Sequence, residues 1–108
     1  MAATPEKKVK DKIKALCKQY GAYYTMPVMT GMATNGTPDI LVCCAGVFAG
    51  VEAKAGKGKP TKLQMVRLRE IRDAGGTALI INENNLDVLE RWLALPGKTD
   101  NLDEWTTK

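Results

Sequence analysis

A chain of 108 residues with 44% hydrophobic content is sized for one folded domain around a modest core; it has neither the length for two domains nor the polarity of a disordered segment. Sixteen Lys and Arg against twelve Asp and Glu give a formal net charge of +4, which favours a polyanionic partner without naming one. With no histidine and no Cys-x-x-Cys pair, a zinc site, a Cys/His pair or a Ser/His/Asp arrangement lacks its parts, so any chemistry falls to carboxylates, lysines and amides.

The segment Met1 to Lys10 is charged and has no apolar h-region, and no apolar run approaches the ~20 residues that span a bilayer. The expectation is a cytoplasmic protein without membrane contact. From Thr4 to Tyr20, the residues Val9, Ile13, Leu16, Cys17 and Tyr20 recur at helical spacing. Thr4 serves as N-cap, Pro5 takes the first helical position and Gly21 stops the helix. Tyr23, Tyr24 and Val28 suit a strand within Ala22 to Met29, where Pro27 demands an edge position or an early end. Gly31 to Thr37 reads as loop. Asp39 to Cys44 and Val47 to Ala53 are apolar runs joined by Ala45-Gly46, the length of a tight hairpin turn, and should pair antiparallel.

After the break at Gly56 to Pro60, Thr61 caps a helix that runs to about Ala74 and stops at Gly75-Gly76. Thr77 to Ile81 is a buried strand. Asn84 or Asn85 caps a last helix carrying Leu86, Leu89 and Leu93, which Pro96-Gly97 ends. The order α-β-β-β-α-β-α predicts an α/β fold over residues 1–95, a mixed four-stranded sheet flanked by helices. Residues 96–108 form a polar tail, either frayed or docked against a partner subunit. The three cysteines, Cys17, Cys43 and Cys44, read as free thiols in a reducing compartment, because neighbours on one strand point to opposite faces.

If Ala45-Gly46 is the whole turn, Cys44 pairs with Val47, and counting back brings Asp39 opposite Glu52. Two carboxylates about 5 Å apart on one sheet face repel unless a cation lies between them. Lys54, two residues after Glu52, shares that face and reaches a phosphate or an attacking water. Ala53 points its side chain away, yet its carbonyl adds an oxygen, and carboxylates, carbonyl and water suit Mg²⁺ or Mn²⁺. Glu6 lies at the edge of the first helix's apolar stripe, where an acid serves either a site or the helix dipole. Gln64 falls between Leu68 and Ile71 on the helical wheel, an amide in an apolar face that requires a buried hydrogen bond.

Glu6, Gly36-Thr37-Pro38-Asp39, Val51-Glu52-Ala53-Lys54 and Gln64 together resemble the VRR-NUC domain, the virus-type replication-repair branch of the PD-(D/E)xK nucleases. The resemblance spans residues 6 to 64 and implies a restriction-endonuclease-like core with Mg²⁺- or Mn²⁺-dependent deoxyribonuclease activity. It implies that Asp39, Glu52 and the Ala53 carbonyl hold metal, that Glu6 contributes to the metal site, and that Lys54 positions water or stabilises charge. Glu6 and Gln64 complete the catalytic set. Small standalone members are similar to Holliday-junction resolvases, which implies a homodimer acting on branched DNA such as four-way junctions, in the host cytoplasm if the source is viral.

The basic stretch from Lys54 to Arg72 supplies candidate DNA contacts in Lys57, Lys59, Lys62 and Arg67, read as phosphate contacts without base readout. The same lysines equally fit a solvated turn. The alternative reading of the chain is a non-catalytic nucleic-acid-binding module, against which the acids argue, since carboxylates facing a polyanion repel it unless metal is present. Leu102 and Trp105 in the tail, with Tyr23, Tyr24 and nearby methionines, either supply a subunit contact or finish the monomer core.

Overall fold

The computed structural model describes residues 4–28 and 30–106. Met29, the end of the expected strand span, lies outside the described residues, as do residues 1–3 and 107–108 at the limits of the expected domain and tail. Helix α1 (Pro5–Gln19) opens as its sequence dictates: Thr4 Oγ1 accepts the Lys7 N–H at 3.1 Å and Pro5 takes a position that needs no donor. Its buried residues Val9, Ile13 and Cys17 repeat every four positions, and Gly21 at φ 70° ends it. Strand β1 (Tyr23–Thr25) stops before Pro27 and forms one edge of the sheet.

Strands β2 (Ile40–Cys44) and β3 (Val47–Ala53) form the hairpin, in the register expected from a two-residue turn, Cys44 against Val47 and Ile40 against Val51. Ala45 and Gly46 both adopt positive φ, 51° and 82°, which fits the twist of a tight hairpin and costs the alanine some strain. Helix α2 (Lys62–Asp73) crosses over and returns the chain to β4 (Thr77–Ile81), parallel to β3. The sheet order is β1-β2-β3-β4, and α3 (Leu86–Ala94) follows. This is the mixed four-stranded sheet flanked by helices that the sequence predicts. No helix among the described residues is long and apolar enough to cross a membrane.

Because the side chains of a strand alternate, the sheet has two unlike faces. Ile40, Val42, Cys44, Ala49, Val51, Ala53, Leu79 and Ile81 meet α1 and α3 in one apolar core. Ala78 and Ile80 point the other way and pack with Met65 and Leu68 of α2 and with Leu102. On that second face Gly50 leaves no room for a side chain: a Cβ there would stand 2.5 Å from Ile71 Cδ1 and 3.0 Å from Pro38 Cγ. The missing side chain lets α2 lie close over the hairpin.

The boundary expected at residue 95 does not divide the fold. Ala78 pairs with Asp100 in a parallel bridge, and the Asn101 side chain serves Ile80 as a strand neighbour would, accepting its N–H and donating to its carbonyl, both at 2.8 Å. Leu102 is fully buried, and a short helix α4 (Asp103–Thr106) sets Trp105 against the same cluster. So the segment closes the free edge of β4. Polarity along the sequence concealed this, because an asparagine amide can stand in for a backbone peptide. A second difference is at α3, where Asn85 holds the cap position but its side chain accepts the Asn82 N–H and donates to the Ile80 carbonyl instead of capping.

Candidate active site

The hairpin ladder ends at Ile40 against Val51, and carrying its register one residue further would set Asp39 opposite Glu52, at the end remote from the turn. Both side chains, with Lys54, belong to the α2 face. Glu52 is 1% exposed, and its Oε1 has no hydrogen-bond partner. Asp39 Oδ2 accepts the Ala53 N–H at 3.0 Å, and Lys54 Nζ lies 3.6 Å from Glu52 Oε2. Burial, then a hydrogen bond to Asp39 and the charge of that neighbour, push the Glu52 carboxyl up to about 8 against the pull of Lys54. Two acids have been packed where one of them keeps its proton at neutral pH unless additional positive charge arrives.

One further position bears on metal binding. Continuing the same register sets Pro38 opposite Ala53, and proline has no N–H to offer the Ala53 carbonyl. The N–H of Ala53, which would face Pro38 in the ladder, goes to Asp39 instead. An oxygen-only set suits a hard divalent cation, and the partnerless Glu52 Oε1 is an acceptor in want of one. The residues therefore fit Mg²⁺ or Mn²⁺, with two carboxylates and a carbonyl as protein ligands. No trio of Asp, Glu, Cys or His among the described residues is grouped to hold a metal, so water would complete the coordination.

Glu6 comes near this group but does not join it as a third acid ligand. Lys10, one turn further along α1, stands between them, its Nζ 3.4 Å from Glu6 Oε2 and 3.8 Å from Asp39 Oδ1. The sequence reading missed Lys10, although its i,i+4 spacing from Glu6 was visible. Gln64 also departs from expectation. It is partly exposed, and its Oε1 accepts the Thr61 N–H at 2.9 Å while Thr61 Oγ1 accepts the Gln64 N–H, a capping box. The Thr-x-x-Gln spacing carried that signal, and the helical wheel placed Gln64 too deep because it ignored the helix start.

Of the four candidate DNA contacts, Lys57, Lys59 and Lys62 are exposed. Arg67 is committed elsewhere: its Nε donates to the Asn35 carbonyl at 2.9 Å and its Nη1 pairs with Glu70 at 2.9 Å, tying α2 to the loop before Pro38. A cavity of about 680 Å³ opens on the same sheet face beside Leu41, Phe48 and Ile71, and the acid pair does not line it.

No family profile matches the chain at the sequence level, and no curated protein matches it. A solved structure described as a VRR_NUC domain superposes with a TM-score of 0.67 over 87% of this chain and 99% of its own, at 21% identity. The backbone is thus similar to a VRR-NUC domain, a restriction-endonuclease-like arrangement, along nearly the whole of that structure.

Proposed function

We propose that this chain, built on the VRR-NUC fold, is a metal-dependent DNA nuclease whose reaction centre is the Asp39, Glu52 and Lys54 cluster. The observation that carries the reading is the buried Glu52 carboxyl beside the part-exposed Asp39. A fold gains nothing in stability from a fully buried Glu beside an Asp, one oxygen of it without a donor, whereas a divalent cation would satisfy both. Asp39, Glu52 and the Ala53 carbonyl would hold Mg²⁺ or Mn²⁺, which when bound supplies Lewis-acid stabilisation of charge on a phosphate. Lys54 holds a positive charge on the same face and stabilises charge developing on the phosphate or orients the attacking water. Lys10 balances Asp39 from α1, and the exposed Lys57, Lys59 and Lys62 bind backbone phosphates.

The substrate in this reading is branched DNA and the working unit a homodimer, since a two-fold pair presents two centres to a symmetric junction. Tyr23, Cys43 and Phe48 form an exposed row across β1, β2 and β3, and this row would offer a second copy its contact surface. Leu102 is not part of such a surface, because it finishes the monomer core.

Incubation of the protein with Mg²⁺, Mn²⁺ or EDTA on single-stranded, duplex, flap and four-way DNA tests the reading. Cleavage should require the cation. Asp39→Asn and Glu52→Gln should lose metal binding and at least about a hundredfold in rate while staying folded, and Lys54→Ala should bind metal but cut poorly. Cleavage in EDTA, or wild-type rates in either acid variant, removes the metal centre. DNA binding without cleavage under every condition makes the chain a binding module. Light scattering decides the dimer, and paired symmetric nicks in a four-way junction decide the branched substrate.

A further inference from the structure

The Gly56–Lys59 loop and helix α4 border an open cavity of about 590 Å³, and none of the residues of the acid cluster lines it. Lys57 and Lys59 form one wall, Trp105 and Glu104 another, and Asn82 and Asn84 close it from the end of β4. Its place in the fold is specific. Trp105 packs on the cluster of Met65, Leu68 and Ile80, which is the sheet face that carries Glu52 and Lys54. Gly56 is two residues beyond Lys54, at most about 7 Å of chain.

The walls are held. Both oxygens of Glu83 accept the Gly56 N–H, at 3.1 and 2.9 Å, and the Gly58 N–H closes a turn on the Ala55 carbonyl at 2.9 Å. Gly56 has φ +58°, in the left-handed region that suits glycine. Opposite, Asn82 Oδ1 accepts the Asn84 N–H and Asn85 Oδ1 accepts the Asn82 N–H, which locks the asparagine turn. Trp105 stands between this cavity and a second one of about 360 Å³ lined by Lys62 and Arg69. An aromatic ring is thus flanked by two lysines on one side and by a lysine and an arginine on the other. The indole N–H itself has no hydrogen-bond partner.

An aromatic face set in a cationic groove binds unpaired nucleotides, because every base offers a face to stack and every phosphate a charge, whereas the bases of an intact duplex are already stacked. Glu104 repels phosphate from the Trp105 side, which leaves the phosphates to Lys57 and Lys59 and the base to the indole. We propose that this cavity is a subsite for one unpaired nucleotide of the DNA strand next to the reaction centre, with the base stacked on Trp105, the phosphate on Lys57 and Lys59, and the strand continuing toward Lys62 and Arg69. Among branched DNAs, the subsite makes the protein favour those with an unpaired strand at the branch, such as flaps, over a fully paired four-way junction. This inference rests on the nuclease reading for its substrate, but it is tested by binding alone.

The experiment measures binding in EDTA to an oligothymidylate, to a duplex with a single-stranded tail and to a blunt duplex, for the wild type, Trp105→Leu and Trp105→Phe. Trp92 is 4% exposed and donates to the Gly97 carbonyl, so any quenching of tryptophan fluorescence by the oligothymidylate reports on Trp105. The wild type should be quenched. Trp105→Phe should lose the quench and keep tailed-DNA affinity within about threefold, while Trp105→Leu weakens single-stranded and tailed DNA about fivefold to a hundredfold and blunt duplex less than about twofold. Should the leucine variant fail to fold, the quench and the phenylalanine variant decide alone. No quench, an unaltered affinity of Trp105→Leu for tailed DNA, or an equal loss on blunt duplex overturns the subsite. Tail binding through Trp105 without any Mg²⁺-dependent cleavage keeps the subsite and sinks the nuclease; cleavage indifferent to a tail and to Trp105 does the reverse.

Discussion

On one side of β3, Ala49, Val51 and Ala53 are sealed between the sheet and helices α1 and α3; on the other, Gly50, Glu52 and Lys54 face α2 and the path toward α4. Successive residues of one strand therefore live under opposite rules. The first face is apolar at every position and contributes stability. The second gives up a side chain at Gly50, buries a carboxylate at Glu52 that burial keeps protonated to about pH 8, and is flanked by two cavities. The division of labour teaches that a small sheet can hold a costly site if the opposite face is packed without compromise.

The strongest way to break the comparison is to move the acid by one residue. Val51→Glu places a carboxylate in the closed core with no cation nearby, at a cost on the order of 5 kcal/mol or more, enough to unfold a domain of this size. Glu52→Gln should stay folded. Circular dichroism and thermal melts of the two variants measure this directly, and a well-folded Val51→Glu protein would show that the two faces are not different in kind.

A smaller effect concerns pH. The Glu52 carboxyl ionises near 4.5 in the unfolded chain and near 8 in the fold. Between those values the folded protein keeps a proton that the unfolded chain has released, so the contribution of Glu52 to stability is greatest below 4.5, falls as pH rises toward 8 and levels above it. The loss over that range is on the order of 5 kcal/mol, and Glu52→Gln should flatten this part of the profile. Saturating Mg²⁺ should restore stability by about 2.7 kcal/mol at a hundredfold excess over its Kd, and by more at pH 8 than at pH 6 because the ionised pair binds it. Melting temperatures in low salt, with and without Mg²⁺, follow both effects. An equal Mg²⁺ stabilisation at both pH values would falsify the link between Glu52 ionisation and the cation.

The smallest expected effect sharpens where the second face ends. Asn101→Ala removes the amide that serves both backbone groups of Ile80 and should cost about 1–3 kcal/mol. Hydrogen exchange at the Ile80 amide should accelerate, while amides of the β2–β3 hairpin keep their protection. Unchanged exchange at Ile80 would mean that α4 and the preceding turn cover the edge without Asn101.

The sequence by itself determined what local rules control. A two-residue turn fixes the hairpin register from Cys44–Val47 to Ile40–Val51, and that register leaves Asp39 within reach of the Ala53 N–H and Lys54 within 3.6 Å of Glu52. Thr4, Pro5 and Gly21 bounded α1, and Pro27 limited β1 to an edge, since caps and proline act within a few residues of chain. Tertiary structure decided the rest. Only the approach of α1 to the sheet puts Lys10 between Glu6 and Asp39, and only the return of residues 99–106 to β4 turns a polar tail into a cover for that strand's edge and a cavity wall. The physical reason is range: turns and caps are settled by neighbours in sequence, whereas a carboxylate's partners, its burial and its pKa depend on side chains that arrive from elsewhere in the chain.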